Sequence, residues 1–231
     1  MSALSSVERA KARSIYLVLA ALFITALITC NLIANKFIAL DLGFYTFTIS
    51  VGILPYPFTF LITDILSEMY GRRRTNLVVY AGFFASLFLL LVLWLGSALP
   101  AIPNSPVQDA QYDAVFQNSW RIISASMLAY LVAQLVDIRI FHFWKKVTNG
   151  KHLWVRNNFS TIISQFLDTF LVVTVIFVGR ASTEDITQMI VDGWFFKVLV
   201  ALLDTILIYA VVAWFRKKFR LAAGQEIPLE D

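Results

Sequence analysis

The chain has 231 residues, of which 59% are hydrophobic and 15% are charged, and its formal net charge is +4. Soluble domains are about 45–50% apolar and about 25% charged, so this composition excludes a soluble enzyme and a disordered tail. It is typical of a helical protein that crosses a membrane several times. The single cysteine, Cys30, excludes a disulfide within the chain and is predicted to be a small packing residue.

A helix needs about 20 mostly apolar residues to cross a bilayer, and six stretches of the chain meet this requirement. We therefore predict an all-α integral membrane protein with one six-span domain over residues 1–231. A charged head occupies residues 1–14, and a polar tail at residues 221–231 is expected to fray. The predicted spans are Ile15–Ala34, Phe47–Met69, Asn76–Ala98, Trp120–Phe141, Phe159–Val178 and Trp194–Phe215.

The second predicted span contains two prolines, Pro55 and Pro57. Proline lacks a backbone donor and clashes with the preceding turn, so this helix is predicted to be kinked or broken there. Transporters use broken helices at substrate sites, where the freed backbone lines a cavity. A kink that serves packing alone is the alternative. The longest connection, Leu99–Ser119, has three prolines and is predicted to be an irregular external segment.

Most of the basic residues lie on one side of a six-span arrangement. They occupy the head, the turn between the second and third spans, the loop between the fourth and fifth spans, and the tail. Because short cytoplasmic loops are rich in Lys and Arg, we predict that both termini are cytoplasmic. The same clusters can contact anionic lipid head groups, so the basic charge does not require nucleic acid as a partner.

Several polar side chains fall inside the predicted spans, where an ionisable group costs at least about 2.5–3.5 kcal/mol. In the fifth span they recur on one helical face. The spacing Gln-x-x-Asp occurs there and again in the fourth span, and Asp64 and Glu68 lie four residues apart in the second. The polar residues of the first, fourth, fifth and sixth spans include Asn31, Asn35, Gln134, Asp137, Asn157, Thr161, Ser164, Gln165, Asp168 and Asp204.

Any one of these groups could form a hydrogen bond that holds two helices together. Five buried carboxylates with few basic partners are better explained by a central hydrophilic cavity. Glu68 is the weakest member of the set, because it lies close to Arg72 and Arg73 in sequence and an interfacial salt bridge explains it equally well. Asp204 could pair with Lys197, although seven residues separate them along the helix, about 10 Å.

Three ordered blocks of sequence carry a family resemblance. They are Pro57–Gly71, which contains the pattern proline…Asp…Glu-x-Tyr-Gly, then Asn31–Lys36, and then the polar stretch Arg156–Thr169. Together they resemble the queuosine-precursor transporters, also called the vitamin uptake transporter family, over about residues 31–204. The blocks correspond to that family's second helix, the end of its first helix and its fifth helix. Asn35 departs from the pattern, since an acidic residue is common there.

The resemblance implies a protein of the bacterial inner membrane that imports 7-cyano-7-deazaguanine and 7-aminomethyl-7-deazaguanine for salvage into transfer RNA. A carboxylate can accept hydrogen bonds from N1–H and the exocyclic amine of such a base, and a glutamine can reach O6. We predict that Gln134, Asp137, Gln165, Asp168, Asp64, Asn157 and Asn35 bind substrate. We further predict that Glu68, Arg156, Asp204, Pro55 and Pro57 form a gate or line the path. No metal or cofactor is expected, and a homodimer is left open.

Other functions remain open from sequence. A substrate-capture subunit of an energy-coupling-factor importer is also a small six-helix protein, and it requires a separate ATPase because this chain has no P-loop motif. A passive channel can also be lined by carboxylates. An intramembrane enzyme is the weakest alternative: only an Asp168–Asp204 dyad offers a mechanism, and the motifs H-E-x-x-H and G-x-S-x-G are absent.

Overall fold

The computed structural model describes residues 5–34, 36–43, 45–116, 120–179 and 182–228. These residues form a bundle of helices with one small antiparallel hairpin. In chain order the elements are α1 (Ser6–Ile33), β1 (Phe37–Asp41), β2 (Thr46–Ser50), a 3₁₀ turn (Val51–Ile53), α2 (Tyr56–Met69), α3 (Arg72–Ala98), α4 (Asp109–Phe116), α5 (Trp120–Val147), α6 (Leu153–Phe177) and α7 (Thr183–Phe219).

Five of the described helices are long and apolar enough to cross a membrane, namely α1, α3, α5, α6 and α7. The prediction of a helical, multi-pass membrane protein is confirmed at this level. Helix α2 has 14 residues and is therefore about 21 Å long, less than the hydrocarbon core of a bilayer at about 30 Å. Many large apolar side chains on the outer faces of the long helices are exposed, as expected for surfaces that contact lipid.

The predicted second span, Phe47–Met69, differs from the structure. Its first part is strand β2, which pairs with β1 so that Phe37 lies opposite Ser50. Helix α2 begins only at Tyr56, with Pro55 as its N-cap. Pro57 lies in the first turn, where a missing N–H removes no helical hydrogen bond. The prolines therefore start a short helix, whereas the sequence predicted a kink or break within a longer one.

Two other predicted boundaries also differ. The segment Leu99–Ser119 is not wholly irregular, because it contains the short helix α4. The charged head is continuous with the first span, since α1 begins at Ser6. The Ser5 side chain accepts from the backbone N–H of Glu8, and the Glu8 carboxylate accepts from the N–H of Ser5. This reciprocal capping satisfies two N–H groups that have no helical acceptor, and it fixes the start of α1 ahead of the apolar residues.

The tail after α7 is packed where it was expected to fray. Ile227 is 1% exposed, and its N–H donates to the carbonyl of Met69 at 2.7 Å. Glu226 forms an ion pair with Lys145 at 2.9 Å. Gly224 lies so close to Gly150 that a Cβ on Gly150 would be 2.8 Å from its Cα. One buried apolar side chain, one ion pair and a close backbone contact hold residues 221–228 against the bundle.

The bundle has two distinct ends. At one end the start of α1, the α2–α3 turn, the α5–α6 loop and the tail meet, and the Tyr70 hydroxyl donates to the Ala12 carbonyl at 2.9 Å. We call this the basic end, because it carries the predicted basic clusters. At the other end the β1–β2 hairpin packs on α7, where Phe47 is fully buried against Phe195 and Phe196. We call this the hairpin end.

Candidate polar site between α2, α5 and α6

Three helices bring most of the predicted site residues together in the interior. Asn35 lies outside the described residues. Asp204 on α7 is half-buried, Pro57 lies beside the interior, and Pro55 precedes α2. The predicted residues that the structure buries are Asp64 and Glu68 on α2, Gln134 and Asp137 on α5, and Arg156, Asn157, Gln165 and Asp168 on α6.

Asp64 and Asp137 form a pair of carboxyl groups from two helices. Their side chains are in hydrogen-bonding contact. The Thr161 hydroxyl donates to Asp64 Oδ2 at 3.5 Å, and the Ser164 hydroxyl donates to Asp137 Oδ1 at 2.9 Å. Among the ion pairs of the described residues, none involves either aspartate. We call these two residues the carboxyl pair.

Two glutamines flank the carboxyl pair. The Thr63 hydroxyl lies 3.1 Å from Gln134 Oε1, and a hydrogen bond there orients the amide so that its Nε2 is open. Four buried carboxyl and amide atoms in this region have no hydrogen-bond partner among the described residues: Asp64 Oδ1, Asp137 Oδ2, Gln134 Nε2 and Gln165 Oε1. An unpaired buried polar group costs about 1–3 kcal/mol. One donor and three acceptors are therefore available to a ligand here.

A narrow crevice between α2, α6 and α7 leads to this region. It encloses about 260 Å³ including its open mouth. Thr161 lines the crevice, and its hydroxyl also donates to Asp64, so one wall of the crevice adjoins the carboxyl pair. The lining residues are Ile53, Tyr56, Pro57, Phe60, Thr161, Gln165, Phe196, Lys197, Val200, Ala201 and Asp204.

Lys197 on α7 is a site residue whose partner was not predicted. Its Nζ donates to Asp168 Oδ2 at 2.8 Å and to the Thr169 hydroxyl at 3.0 Å, and it lies 4.3 Å from the centre of the Tyr56 ring. The partner considered from sequence was Asp204, on the same helix. A lysine within an apolar span is itself a signal of function or pairing, but only the fold shows that its partner is Asp168.

Glu68 lies one turn beyond Asp64 on α2 and is surrounded by cations. Its Oε1 accepts from Arg156 at 2.6 Å and from Arg216 at 2.9 Å, and Lys145 is 3.8 Å from its Oε2. We call these four residues the Glu68 cluster. Its cations come from α5, α6 and α7, whereas sequence suggested Arg72 and Arg73 beside the turn. The side chains of Glu68 and Arg156 are fully buried, which closes the bundle near its basic end.

Asn157 and two tyrosines complete the interior. Asn157 is buried one turn before Thr161 on α6. The rings of Tyr56 and Tyr130 are 6.4 Å apart; the Tyr56 hydroxyl contacts Asp168, and the Tyr130 hydroxyl contacts Thr59. Phe166, which sequence placed beside the polar positions, is 45% exposed and packs on Phe170. The aromatic side chains next to the open polar atoms therefore come from the start of α2 and from α5.

Comparison with known proteins gives concordant matches. A model of the family described as "Putative vitamin uptake transporter" matches residues 50–211. A "Probable queuosine precursor transporter" of Bacillus subtilis (strain 168) is 26% identical over 178 residues, 77% of each chain. One of the same description from Haemophilus influenzae is 25% identical over 80% of this chain and 77% of its own. The "Queuosine precursor transporter" of Escherichia coli (strain K12) is 24% identical over 80% of each chain. No solved structure shows significant similarity to this chain.

Proposed function

This chain belongs to the vitamin uptake transporter family, as its three sequence blocks predicted, and we propose on that premise that it imports queuosine precursors. It is a multi-pass membrane transporter and not an enzyme. We further propose 7-cyano-7-deazaguanine and 7-aminomethyl-7-deazaguanine as its substrates. The observation that supports these substrates is the set of four open polar atoms on the carboxyl pair and the two glutamines.

The open atoms complement the guanine-like edge that both precursors share. That edge presents N1–H and an exocyclic amine as donors and O6 as an acceptor. The free oxygens of Asp64 and Asp137 can accept from the two donors, while Gln134 Nε2 can donate to O6. Gln165 Oε1 offers a further acceptor at the mouth of the crevice. Because both substrates carry this edge unchanged, one arrangement of side chains serves both.

Asp168 contributes to the proposed site through its ion pair with Lys197. It holds the Lys197 ammonium against the Tyr56 ring, on the wall of the crevice that a substrate would enter. Without Asp168, that ammonium would be free to reach Asp204, which lines the same crevice. We therefore keep Asp168 among the residues needed for binding, as the residue that positions Lys197. Asn157 is proposed to support the same face of α6.

We propose that the chain crosses the bacterial inner membrane six times with both termini in the cytoplasm. In this topology the β1–β2 hairpin and α2 together form the second crossing, since α2 alone is shorter than the hydrocarbon core. The basic end faces the cytoplasm, as expected from the distribution of Lys and Arg. The Glu68 cluster then closes the cytoplasmic side of the path, and Asp204 and Pro57 line its entrance from the crevice.

Uptake by proteoliposomes that contain only this purified chain tests the proposal. We expect labelled 7-aminomethyl-7-deazaguanine to enter, and unlabelled 7-cyano-7-deazaguanine to compete with it. The variants Asp168→Asn and Gln165→Ala should take up at least tenfold less at equal protein level. Asp113→Asn is the matched control, because its carboxylate binds Ser97 away from the site.

Three outcomes are informative. Competed uptake that the site variants abolish supports the proposal. Binding without uptake would contradict a self-sufficient transporter and favour a capture subunit, which should then co-purify with an ATPase. Uptake that is unchanged in both Asp168→Asn and Gln165→Ala would overturn the proposed site.

A further inference from the structure

We propose that the carboxyl pair binds a proton that crosses the membrane together with the substrate, so that import is driven by the proton gradient. The inference rests on the proposed function, since it concerns the same site. It names the coupling ion and the two residues that hold it.

Hydrogen bonding within the pair requires a proton. An ionised carboxylate can only accept hydrogen bonds, so two carboxyl groups in contact need at least one proton between them. Asp64 and Asp137 are in such contact, and both are almost fully buried. Two negative charges side by side in a medium of low dielectric constant would also repel strongly. Two carboxyl groups in this contact therefore hold a proton between them.

The surroundings of the pair supply no other positive charge in the described part of the chain. Helix α6 contributes the hydroxyls of Thr161 and Ser164, which donate to the pair. The charged groups on the packed helices are otherwise committed or negative. They are Lys197 with Asp168, the cations of the Glu68 cluster with Glu68, and Asp204, which faces Asp64 from α7. Tyr130 on α5, Tyr56 on α2 and Cys30 on α1 are the further titratable groups that face this region.

The proton limits the charge of the loaded site. With one proton the pair keeps one negative charge, which can accept the N1–H and amine of the substrate while the proton stays between the two carboxyl groups. Loss of the proton would place two negative charges side by side in the buried site, where they repel. The loaded transporter therefore changes sides only while the pair holds this proton, so that proton and substrate cross together. One proton enters with the substrate on the outer side and leaves with it in the cytoplasm, with no bond in the substrate made or broken.

Proteoliposomes loaded with a pH-sensitive dye test the proposal, with the membrane potential held at zero by potassium and valinomycin. Addition of unlabelled 7-aminomethyl-7-deazaguanine outside should acidify the lumen in step with uptake of the labelled compound. With the outside about one pH unit more acidic, labelled substrate should accumulate up to about tenfold, because one pH unit corresponds to a tenfold ratio for one proton per substrate. A protonophore should abolish this accumulation.

Variants identify the proton site. Asp64→Asn and Asp137→Asn should lose substrate-dependent acidification and accumulation, and Asp64→Glu should retain acidification because it keeps an acid. Asp113→Asn should behave as the parent protein. Uptake without acidification in the parent protein would overturn the proton inference and leave the proposed function intact. Acidification that persists in Asp64→Asn and Asp137→Asn would overturn the site. If the parent protein takes up no labelled precursor, the proposed function itself fails, and the inference with it.

Discussion

Asp64 and Glu68 are successive acidic residues on one face of α2, and their environments are opposite. Glu68 contacts two arginines and lies near a lysine, from three different helices. Asp64, one turn earlier, contacts another carboxyl group and a threonine hydroxyl. The fold gives Glu68 fixed positive partners, whereas Asp64 has no cation partner among the described residues.

This contrast separates a buried charge that stabilises the fold from a buried acid that we propose to act in transport. A buried ion pair whose partners are all present is satisfied, and removing one partner leaves an uncompensated charge. A buried carboxyl group without a cation is in an unfavourable environment. A proton, or a hydrogen-bond donor of the substrate, can relieve this cost. Two successive turns of α2 thus separate a buried ion-pair cluster near the basic end from the proposed binding region deeper in the bundle. The following variants test this division.

Loss of the Glu68 charge should have the largest effect on stability. In Glu68→Gln the guanidinium groups of Arg156 and Arg216 lose their counter-ion, and Arg156 is fully buried. Breaking a buried pair in this way costs about 3–5 kcal/mol. We expect a much lower melting temperature in detergent and less protein in the membrane. The double variant Glu68→Gln/Arg156→Gln should recover part of the loss. A Glu68→Gln variant as stable as the parent would contradict the assignment.

Loss of Lys197 should have an intermediate effect. Lys197→Met removes the cation that donates to Asp168 and Thr169, but its side chain is 12% exposed, so water can replace part of the interaction. Hydrogen bonds to charged groups contribute about 1.5–3 kcal/mol, and we expect a destabilisation in that range. A thermal double-mutant cycle with Asp168→Asn measures the coupling. If the two single effects simply add, the ion pair does not contribute to stability.

Loss of the Asp64 charge should barely change stability and should strongly reduce transport. Asp64→Asn removes no ion pair, so its melting temperature should stay close to that of the parent. Its uptake should fall at least tenfold, about 1.4 kcal/mol, because the pair loses a carboxyl oxygen proposed to accept from the substrate and the proton that the two carboxyl groups share. Parallel measurement of melting and uptake in this variant and in Glu68→Gln gives the contrast. Equal destabilisation of Asp64→Asn and Glu68→Gln would contradict the distinction between a stabilising charge at Glu68 and a transport residue at Asp64.

The smallest effect should come from the tail. Glu226 is 45% exposed, so its ion pair with Lys145 is largely screened by solvent. Glu226→Gln should destabilise by about 0.2–1 kcal/mol, as exposed pairs do. Ile227→Ala is the informative comparison, because the Ile227 side chain is buried. Its truncation should lower the free energy of unfolding by more than loss of the ion pair does. Protease sensitivity of residues 221–228 in the two variants would show which contact holds the tail. A larger effect in Glu226→Gln would reverse this ranking.

Part of the fold and of the candidate site could be predicted because its signal lies in short, continuous stretches of sequence. Apolar runs long enough to cross a bilayer stand out in any window of sequence, and α1, α3, α5, α6 and α7 all came from them. The repeated Gln-x-x-Asp spacing also placed Gln134 with Asp137, and Gln165 with Asp168, on single helical faces. Both glutamines and both aspartates are buried in the structure, as a cavity between helices requires.

The remainder depends on contacts between distant parts of the chain. Residues 47–53 alternate apolar with polar or small side chains, a pattern that fits a strand, and β2 pairs there with β1. The partners of Glu68 are 88 and 148 residues away, so no spacing rule could find them. The tail was predicted to fray because it is polar, but one of its residues, Ile227, packs in the hydrophobic core.

The most direct test of the account is the affinity of the purified protein for bases with and without the exocyclic amine. We expect the parent protein to bind 7-deazaguanine at least tenfold more tightly than 7-deazahypoxanthine, which lacks that amine, because an acceptor of the carboxyl pair would be left unpaired. Asp64→Asn should lose most of this preference while Asp113→Asn keeps it. Equal affinity of the parent protein for the two bases would contradict recognition of the guanine-like edge by Asp64 and Asp137.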